Sequence, residues 1–427
     1  MLSVQRQRSR IRMGNIIIGK PYIIQKNNRS RLCADIKEDD IIRVLYYEVD
    51  QEFEKWLNID NSDTFVLGIL HNAMNEGKNI ICEGGITDRL LFQLNNYYVP
   101  VVSGKMPDLN HITVFSNEHG NVCKSTGGVM TGCSGGVDSF YTMLKYKEIE
   151  EKGFALTHIL FNNISTADND DSRIRNLFER DVEEKRKVAQ ELGLIPVMLY
   201  TNLYSFYKSQ HIYNYYFASQ YVSAPYALGR LVSKYYFSSG FSVADFTMDP
   251  KRIKDGAYFD LFSLNCFTND HMSIYSAGSE VSRFEKTKFI CGNDIVKRHL
   301  QVCSEEQYLH FYEKGNTKLN KLNCGCCGKC RRTVTTLYTL GCLDDYESVF
   351  DLTTFKNNKE KFIAKELADD AKAFTNEIKD NLHSPELQYA KLRVYLIPFS
   401  LRHSLRKHTE LRRVYRRIRY GEKSNEG

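Results

Sequence analysis

Apolar positions divide the chain into three stretches of different period. Over 15–36, NIIIGKPYIIQKNNRSRLCADI alternates in short β-branched runs and predicts two strands about a turn at 26–28, with VLYYEVD at 44–50 as another. The period then becomes helical in FVLGILHNAMNEG (65–77) and TDRLLFQLNNY (87–97), with a strand at 78–84 between them and a strand pair at 99–104 and 111–116. Residues 1–125 are thus expected to form an α+β domain. From residue 126 strands and helices alternate: a short buried strand at 127–132, a helix at 137–147, a strand at 154–163, a long amphipathic helix at 172–194, and strands at 196–203 and 241–246. Strand-helix-strand alternation at this spacing predicts an α/β fold over 126–352, a parallel, doubly wound sheet with helices on both faces. Helices at 333–343 and 356–381, and a third from Pro385, give a helical C-terminal extension over 353–427.

Aromatic residues crowd 204–237, and helix packing accounts for that density better than a stacking platform for a base or sugar. His71, His111 and His119 do not approach metal spacing. The composition, 42% hydrophobic and 26% charged over 427 residues, is that of an ordinary soluble protein. No run nears the roughly 18 apolar residues of a membrane span and the N-terminus has no apolar signal segment, so a cytoplasmic address is expected. Charge is uneven: the first 33 residues carry eight Lys or Arg and no acid, residues 391–420 carry ten against Glu410 alone, and the middle is acidic. The N-terminal 13 residues read as a polar, basic arm.

The strongest local signal is Thr131-Gly132-Cys133-Ser134-Gly135-Gly136-Val137-Asp138-Ser139-Phe140, between a strand and a helix. Adjacent glycines at such a turn take positive φ and remove Cβ atoms, so that Ser134, Gly135, Gly136, Val137, Asp138 and Ser139 present converging backbone N–H groups and hydroxyls to a phosphate. Asp138 repels a bare phosphate; it fits a Mg²⁺ bridging carboxylate and phosphate oxygens, which points to a metal–nucleotide such as ATP. A plain capped glycine turn is the bland alternative, and the whole hexapeptide in strand-turn-helix context outweighs it. Asn162, at the end of the next strand, is a candidate contact to adenine or ribose. Arg283 and Lys286, at a helix start with a Ser282/Glu285 capping box, are candidates to neutralise a departing pyrophosphate.

A second cluster follows: Cys324, Cys327 and Cys330 at x₂ spacing, with Cys303 about twenty residues upstream. Four thiolates at these separations suit one tetrahedral ion, Zn²⁺ as the redox-silent default, with an Fe–S cluster drawing on the same donors. Cys326 is surplus, free or an alternative ligand.

SGGVDS resembles the PP-loop of the ATP pyrophosphatase superfamily, and the loop followed by the cysteine cluster resembles its 7-cyano-7-deazaguanine synthase branch, over about residues 126–345. The resemblance implies ATP cleavage to AMP and pyrophosphate, adenylation of a carboxylate or amide oxygen, attack by a nitrogen nucleophile, and Cys303, Cys324, Cys327 and Cys330 as zinc ligands. This chain adds about 125 residues before the loop and about 80 after the zinc site, and its 249–282 region matches no substrate motif, so substrate identity does not carry over. No cysteine follows Met1 and no glutaminase motif is evident, so ammonia or an amine comes from solution or a partner protein. The rival readings are a tRNA-thiolating enzyme of the same superfamily, favoured by the basic ends, and a nucleotide-binding regulator without turnover. The basic stripe from Arg402 to Arg419 suits RNA phosphates, an anionic membrane surface, or the acidic middle of a second copy of the chain.

Overall fold

The computed structural model describes residues 14–164, 172–304, 321–368 and 372–407. Eleven strands form one sheet: β1 Asn15–Ile18, β2 Tyr22–Lys26, β3 Arg29–Glu38, β4 Ile41–Asp50, β5 Asn79–Cys82, β6 Val114–Ser116, β7 Gly128–Gly132, β8 His158–Asn162, β9 Ile195–Thr201, β10 Val232–Ser238 and β11 Ser273–Ala277. Their order is β11-β10-β7-β8-β9-β4-β3-β1-β5-β6, with β2 pairing β3. The five strands from β11 to β9 are parallel, and β7 lies between β8, which follows it, and β10, which comes later. Strand order therefore reverses at β7, and a doubly wound sheet opens a crevice beyond the strand ends at that point.

The alternation of side chains about β7 explains why both faces are covered. Val129, Ile159 and Tyr236 enter one core with the helices Val137–Lys147, Arg283–Ile290 and Gly328–Thr339. Their neighbours Met130, Leu160 and Tyr235 enter the other, which also takes Phe65, Ile69 and Leu70 of helix Asp63–Glu76. The N-terminal strands join this second core through Ile16, Leu32, Ala34, Leu45 and Tyr47. Tyr47↔Thr201, Glu48↔Tyr200 and Val49↔Leu199 pair β4 antiparallel to β9, which makes the N-terminal hairpins and the parallel strands one sheet.

Several expected elements differ. The stretch 99–104 is helix Val99–Lys105, not a strand: Pro100 stands in its first turn, and Val99 and Val102 are buried at helical spacing. The fourth parallel strand is β10, inside the aromatic stretch; 241–246 instead bends through a capping box in which Ser242 and Asp245 bond each other. The helix expected at 333–343 begins earlier, at Gly328, and 356–381 holds separate helices Lys359–Leu367 and Lys372–Asn381. The turn at 26–28 is as expected, with Asn27 and Asn28 at φ 48° and 60°. Helix Tyr389–Lys407 carries the start of the basic stripe; its continuation to Arg419 and the N-terminal arm lie outside the described residues. Among the described residues no helix is long and apolar enough to cross a membrane.

Candidate functional site

β7 ends at Gly132, and the chain turns through Ser134 and Gly135 into helix Val137–Lys147 at the sheet's reversal point. Gly135 has φ +77°, and a Cβ there would run into Nζ of Lys185. Gly136 is the helix N-cap and, having no side chain, leaves the first-turn N–H groups uncapped. Ser134 Oγ accepts from Gly136 N at 3.3 Å and donates to Ser139 Oγ at 3.3 Å, while Ser139 Oγ also donates to Gly136 O at 3.1 Å. The two hydroxyls thus lie together at the mouth of the turn. Val137 faces the core.

Asp138, Arg283 and Lys286 meet although about 145 residues separate them. The guanidinium of Arg283 holds both carboxylate oxygens of Asp138, through Nη2 to Oδ2 and through Nε to Oδ1 at 3.3 Å. Lys286 Nζ lies 3.4 Å from Oδ1 and donates to Ser239 O at 2.6 Å. Burial pushes the Asp138 carboxyl up; Arg283 and Lys286 outweigh it and hold it below the usual range, so the group is a carboxylate. Burial lowers the Lys286 ammonium pKa, with Asp138 opposing.

The sequence reading missed a third cation, Lys185, which is 1% exposed against the cradle. Its Nζ donates to Gln301 Oε1 at 2.6 Å; Gln301 Nε2 donates to Asp181 Oδ2 at 2.7 Å, and Gln301 N donates to Gly135 O at 2.8 Å. A signal was present. Phe178, Val182, Lys185, Ala189 and Leu192 recur at spacings of three and four, so Lys185 interrupts a buried apolar stripe. A lysine on such a stripe needs a polar partner inside the fold.

Beyond the turn lies a cavity of about 400 Å³. Gly132, Ser134 and Ser139 form its cradle end, Phe161 and Asn162 its β8 wall, and Tyr235, Phe237 and Ser238 its β10 wall. Asn162, expected to touch a nucleotide, does line it, with Oδ1 accepting from Ile164 N at 3.1 Å. The aromatic stretch serves both core and cavity: Tyr216 and Tyr226 pack inside, whereas Tyr213, Phe217 and Tyr221 face the cavity.

The candidate metal centre begins at Cys303, two residues beyond the Gln301 that bonds the cradle turn. The sulfurs of Cys303, Cys324, Cys327 and Cys330 all lie within 4.8 Å of one another, with Cys303–Cys324 at 3.5 Å, Cys303–Cys327 at 3.9 Å and Cys324–Cys330 at 3.8 Å. Zn–S bonds of about 2.3 Å in a tetrahedron place sulfurs ~3.8 Å apart, so the four thiols fit one ion such as Zn²⁺. Cys326 Sγ lies 3.8 Å from Cys324 and stays outside the set of four. Gly325, φ +68°, allows the wrap, because a Cβ would collide with Asp351 O. Asn323, fully buried, ties the centre to the cradle: Oδ1 accepts from Val302 N and Cys303 N at 2.7 and 3.1 Å, and Nδ2 donates to Leu300 O at 2.7 Å. That fixes the strip from which Gln301 reaches Gly135 and Lys185.

Comparisons of the chain with family models, with curated proteins and with solved structures each found no match.

Proposed function

We propose that the chain is an ATP pyrophosphatase of the PP-loop kind, a ligase that cleaves ATP to AMP and pyrophosphate and forms a C–N bond. The observation that carries this is the uncapped glycine turn at the sheet's reversal point, with Lys185, Arg283 and Lys286 converging on it and one carboxylate, Asp138, among them. Three cations stand against Asp138, while the neighbouring carboxylates Asp181 and Glu280 are paired with Arg180 and Lys145, and the remaining positive charge favours a polyanion. The uncapped N–H groups and the hydroxyls of Ser134 and Ser139 supply donors for phosphate oxygens. Asp138 is the residue to hold the Mg²⁺ that accompanies ATP, since Mg²⁺ is commonly bound by one or two carboxylates plus phosphate oxygens. Arg283 and Lys286 are then released from Asp138 to face the phosphates.

The acceptor's carboxylate or amide oxygen attacks the α-phosphorus, the bond from that phosphorus to the α,β-bridging oxygen breaks, and pyrophosphate leaves with the electron pair. Arg283 and Lys286 neutralise the charge that grows on it. A nitrogen nucleophile, ammonia or an amine free or delivered by a partner, then attacks the adenylated carbon and expels AMP. Zn²⁺ on Cys303, Cys324, Cys327 and Cys330 has a structural part, since four thiolates leave no open position for substrate. In this proposal residues 126–352 form the catalytic unit, and 1–125 and 353–427 frame it.

The test incubates wild type and Asp138→Ala with ATP, Mg²⁺ and a cell metabolite extract. AMP and pyrophosphate from wild type alone support the proposal; ADP refutes the α-phosphate chemistry. Tight ATP binding without cleavage in any extract supports a regulator without turnover, and extra thiolated bases in tRNA treated with the enzyme and a sulfur donor support the thiolation reading.

A further inference from the structure

Two cysteines outside the candidate metal centre touch each other. Cys342 Sγ lies 3.1 Å from Cys291 Sγ, although 51 positions separate them in the chain. Both are free thiols, Cys291 8% exposed and Cys342 more open to solvent. Their separation sets them apart from the four sulfurs of the cluster. Thiolates that share a Zn²⁺ stand ~3.8 Å apart; Cys291 and Cys342 are closer than that, and among the described residues they belong to no group of three or more metal ligands. A disulfide needs about 2.05 Å between its sulfurs, so the two thiols stand roughly one ångström short of a bond.

Their placement gives that bond a consequence. Cys291 is the C-cap of helix Arg283–Ile290, which brings Arg283 and Lys286 to Asp138. Cys342 follows helix Gly328–Thr339, whose N-cap is Cys327 and whose first turn holds Cys330. The segment between the two cysteines contains Cys303, Cys324, Cys327 and Cys330. A bond from 291 to 342 closes a loop around the whole cluster and ties it to the helix that serves the cradle, with no metal needed.

We propose that Cys291 and Cys342 are a redox site: hydrogen peroxide converts them to a reversible disulfide that pins the segment holding the cysteine cluster to the helix bearing Arg283 and Lys286. Cys342, the more exposed, meets the oxidant. Its thiolate attacks one peroxide oxygen, the O–O bond breaks, and hydroxide leaves to take up the thiol proton as water, giving a sulfenic acid. The Cys291 sulfur then attacks the Cys342 sulfur, the S–S bond forms, and the hydroxyl departs as water with the Cys291 proton. Two thiols lose two electrons and one peroxide becomes two waters. A dithiol reverses the bond by exchange. Burial, and next the contact with Cys342, push the Cys291 thiol up to about 12, which keeps it protonated until its partner is oxidised. Tyr346 Oη donates to Cys291 O at 3.0 Å and Cys342 N donates to Leu337 O at 2.9 Å, so the backbone on each side is held while the sulfurs close.

The full chain as purified is treated with one equivalent of hydrogen peroxide, blocked with N-ethylmaleimide and digested without reductant for mass spectrometry, for wild type, Cys342→Ser and Cys326→Ser. Expected are a peptide pair linked through 291 and 342 and lacking two hydrogens, its loss with dithiothreitol, its absence in Cys342→Ser and its persistence in Cys326→Ser. Oxidised wild type should melt roughly 5 °C above the reduced protein, because the cross-link restricts the unfolded chain; Cys342→Ser should show no such rise. The proposal is overturned if no 291–342 link forms, if cysteines of the cluster link first, if dithiothreitol leaves the link in place, or if the link lowers Tm, which would mean that closing the sulfurs distorts the fold. The wild-type peptide map decides these outcomes even where a variant folds poorly, and none of them depends on the proposed function.

Discussion

Asp138 carries opposite demands, which its environment makes measurable. Asp138→Asn leaves Lys286, 1% exposed at its side chain, beside Arg283 with no carboxylate, and should cost about 2–3 kcal/mol in urea unfolding. The native carboxyl titrates below its unfolded value because Arg283 and Lys286 overcome its burial. Its contribution is therefore complete above the unfolded Asp pKa of about 4 and is lost as pH falls through the depressed native value. The stability gap between wild type and Asp138→Asn should be full at pH 6 and close below pH ~4; a gap independent of pH would contradict the ion pair. Gly135→Ala places a Cβ against Lys185 at a left-handed position, at a cost of about 1–2 kcal/mol, and on the proposed function should weaken ATP binding at least tenfold in calorimetry. At this scale the turn was legible from neighbouring residues alone, since strand, glycines and helix lie within a dozen positions. Lys185 showed only as an interruption of an apolar helical stripe; that it meets Gly135 and Gln301 did not show, because those neighbours in space are distant in the chain.

The candidate metal centre and the cradle are joined by one short element, the strip 300–303, held to the cysteine loop by Asn323 and to the cradle by its own Gln301. Chelation should release one Zn²⁺ per chain, read with a colorimetric chelator, and lower Tm, because the thiolates bind the metal only in the folded arrangement. Asn323→Leu removes the acceptor for Val302 N and Cys303 N, so it should speed metal release and weaken ATP binding together. Faster release with unchanged ATP affinity would separate the two sites. The cysteine spacing was visible in sequence because the ligands Cys324, Cys327 and Cys330 fall within a single turn and helix start. The helix boundaries were less so: 99–104 has the valines of a strand, and only packing of Val99 and Val102 into the core made it a helix.

Across the molecule, the N-terminal hairpins and the parallel strands share a core. Tyr47 Oη lies 2.8 Å from Ser223 Oγ, and Tyr207 Oη donates to Gly68 O at 2.7 Å, each bond crossing from the first 125 residues to the later chain. The C-terminal helices add Ile363, Leu367, Ile378 and Leu392 to the other core, and Glu366, fully buried, pairs with Arg331 of the helix leaving the cysteine cluster. Residues 126–352 expressed alone should therefore be insoluble or bind hydrophobic dye, while the full chain unfolds in one calorimetric transition; two resolved transitions would mean independent units. The sequence by itself determined the strand-turn-helix at residue 135, the alternation that makes a parallel sheet, and the cysteine spacing. Each depends on residues close in the chain, through backbone sterics and side-chain period. Tertiary structure alone decided that Arg283 and Lys286 neutralise Asp138, that Lys185 lies under Gly135, that β4 closes onto β9, and that Asp260 and Gln220 face one cavity. Those facts depend on which strands become neighbours, and strand order follows from burial summed over the whole chain.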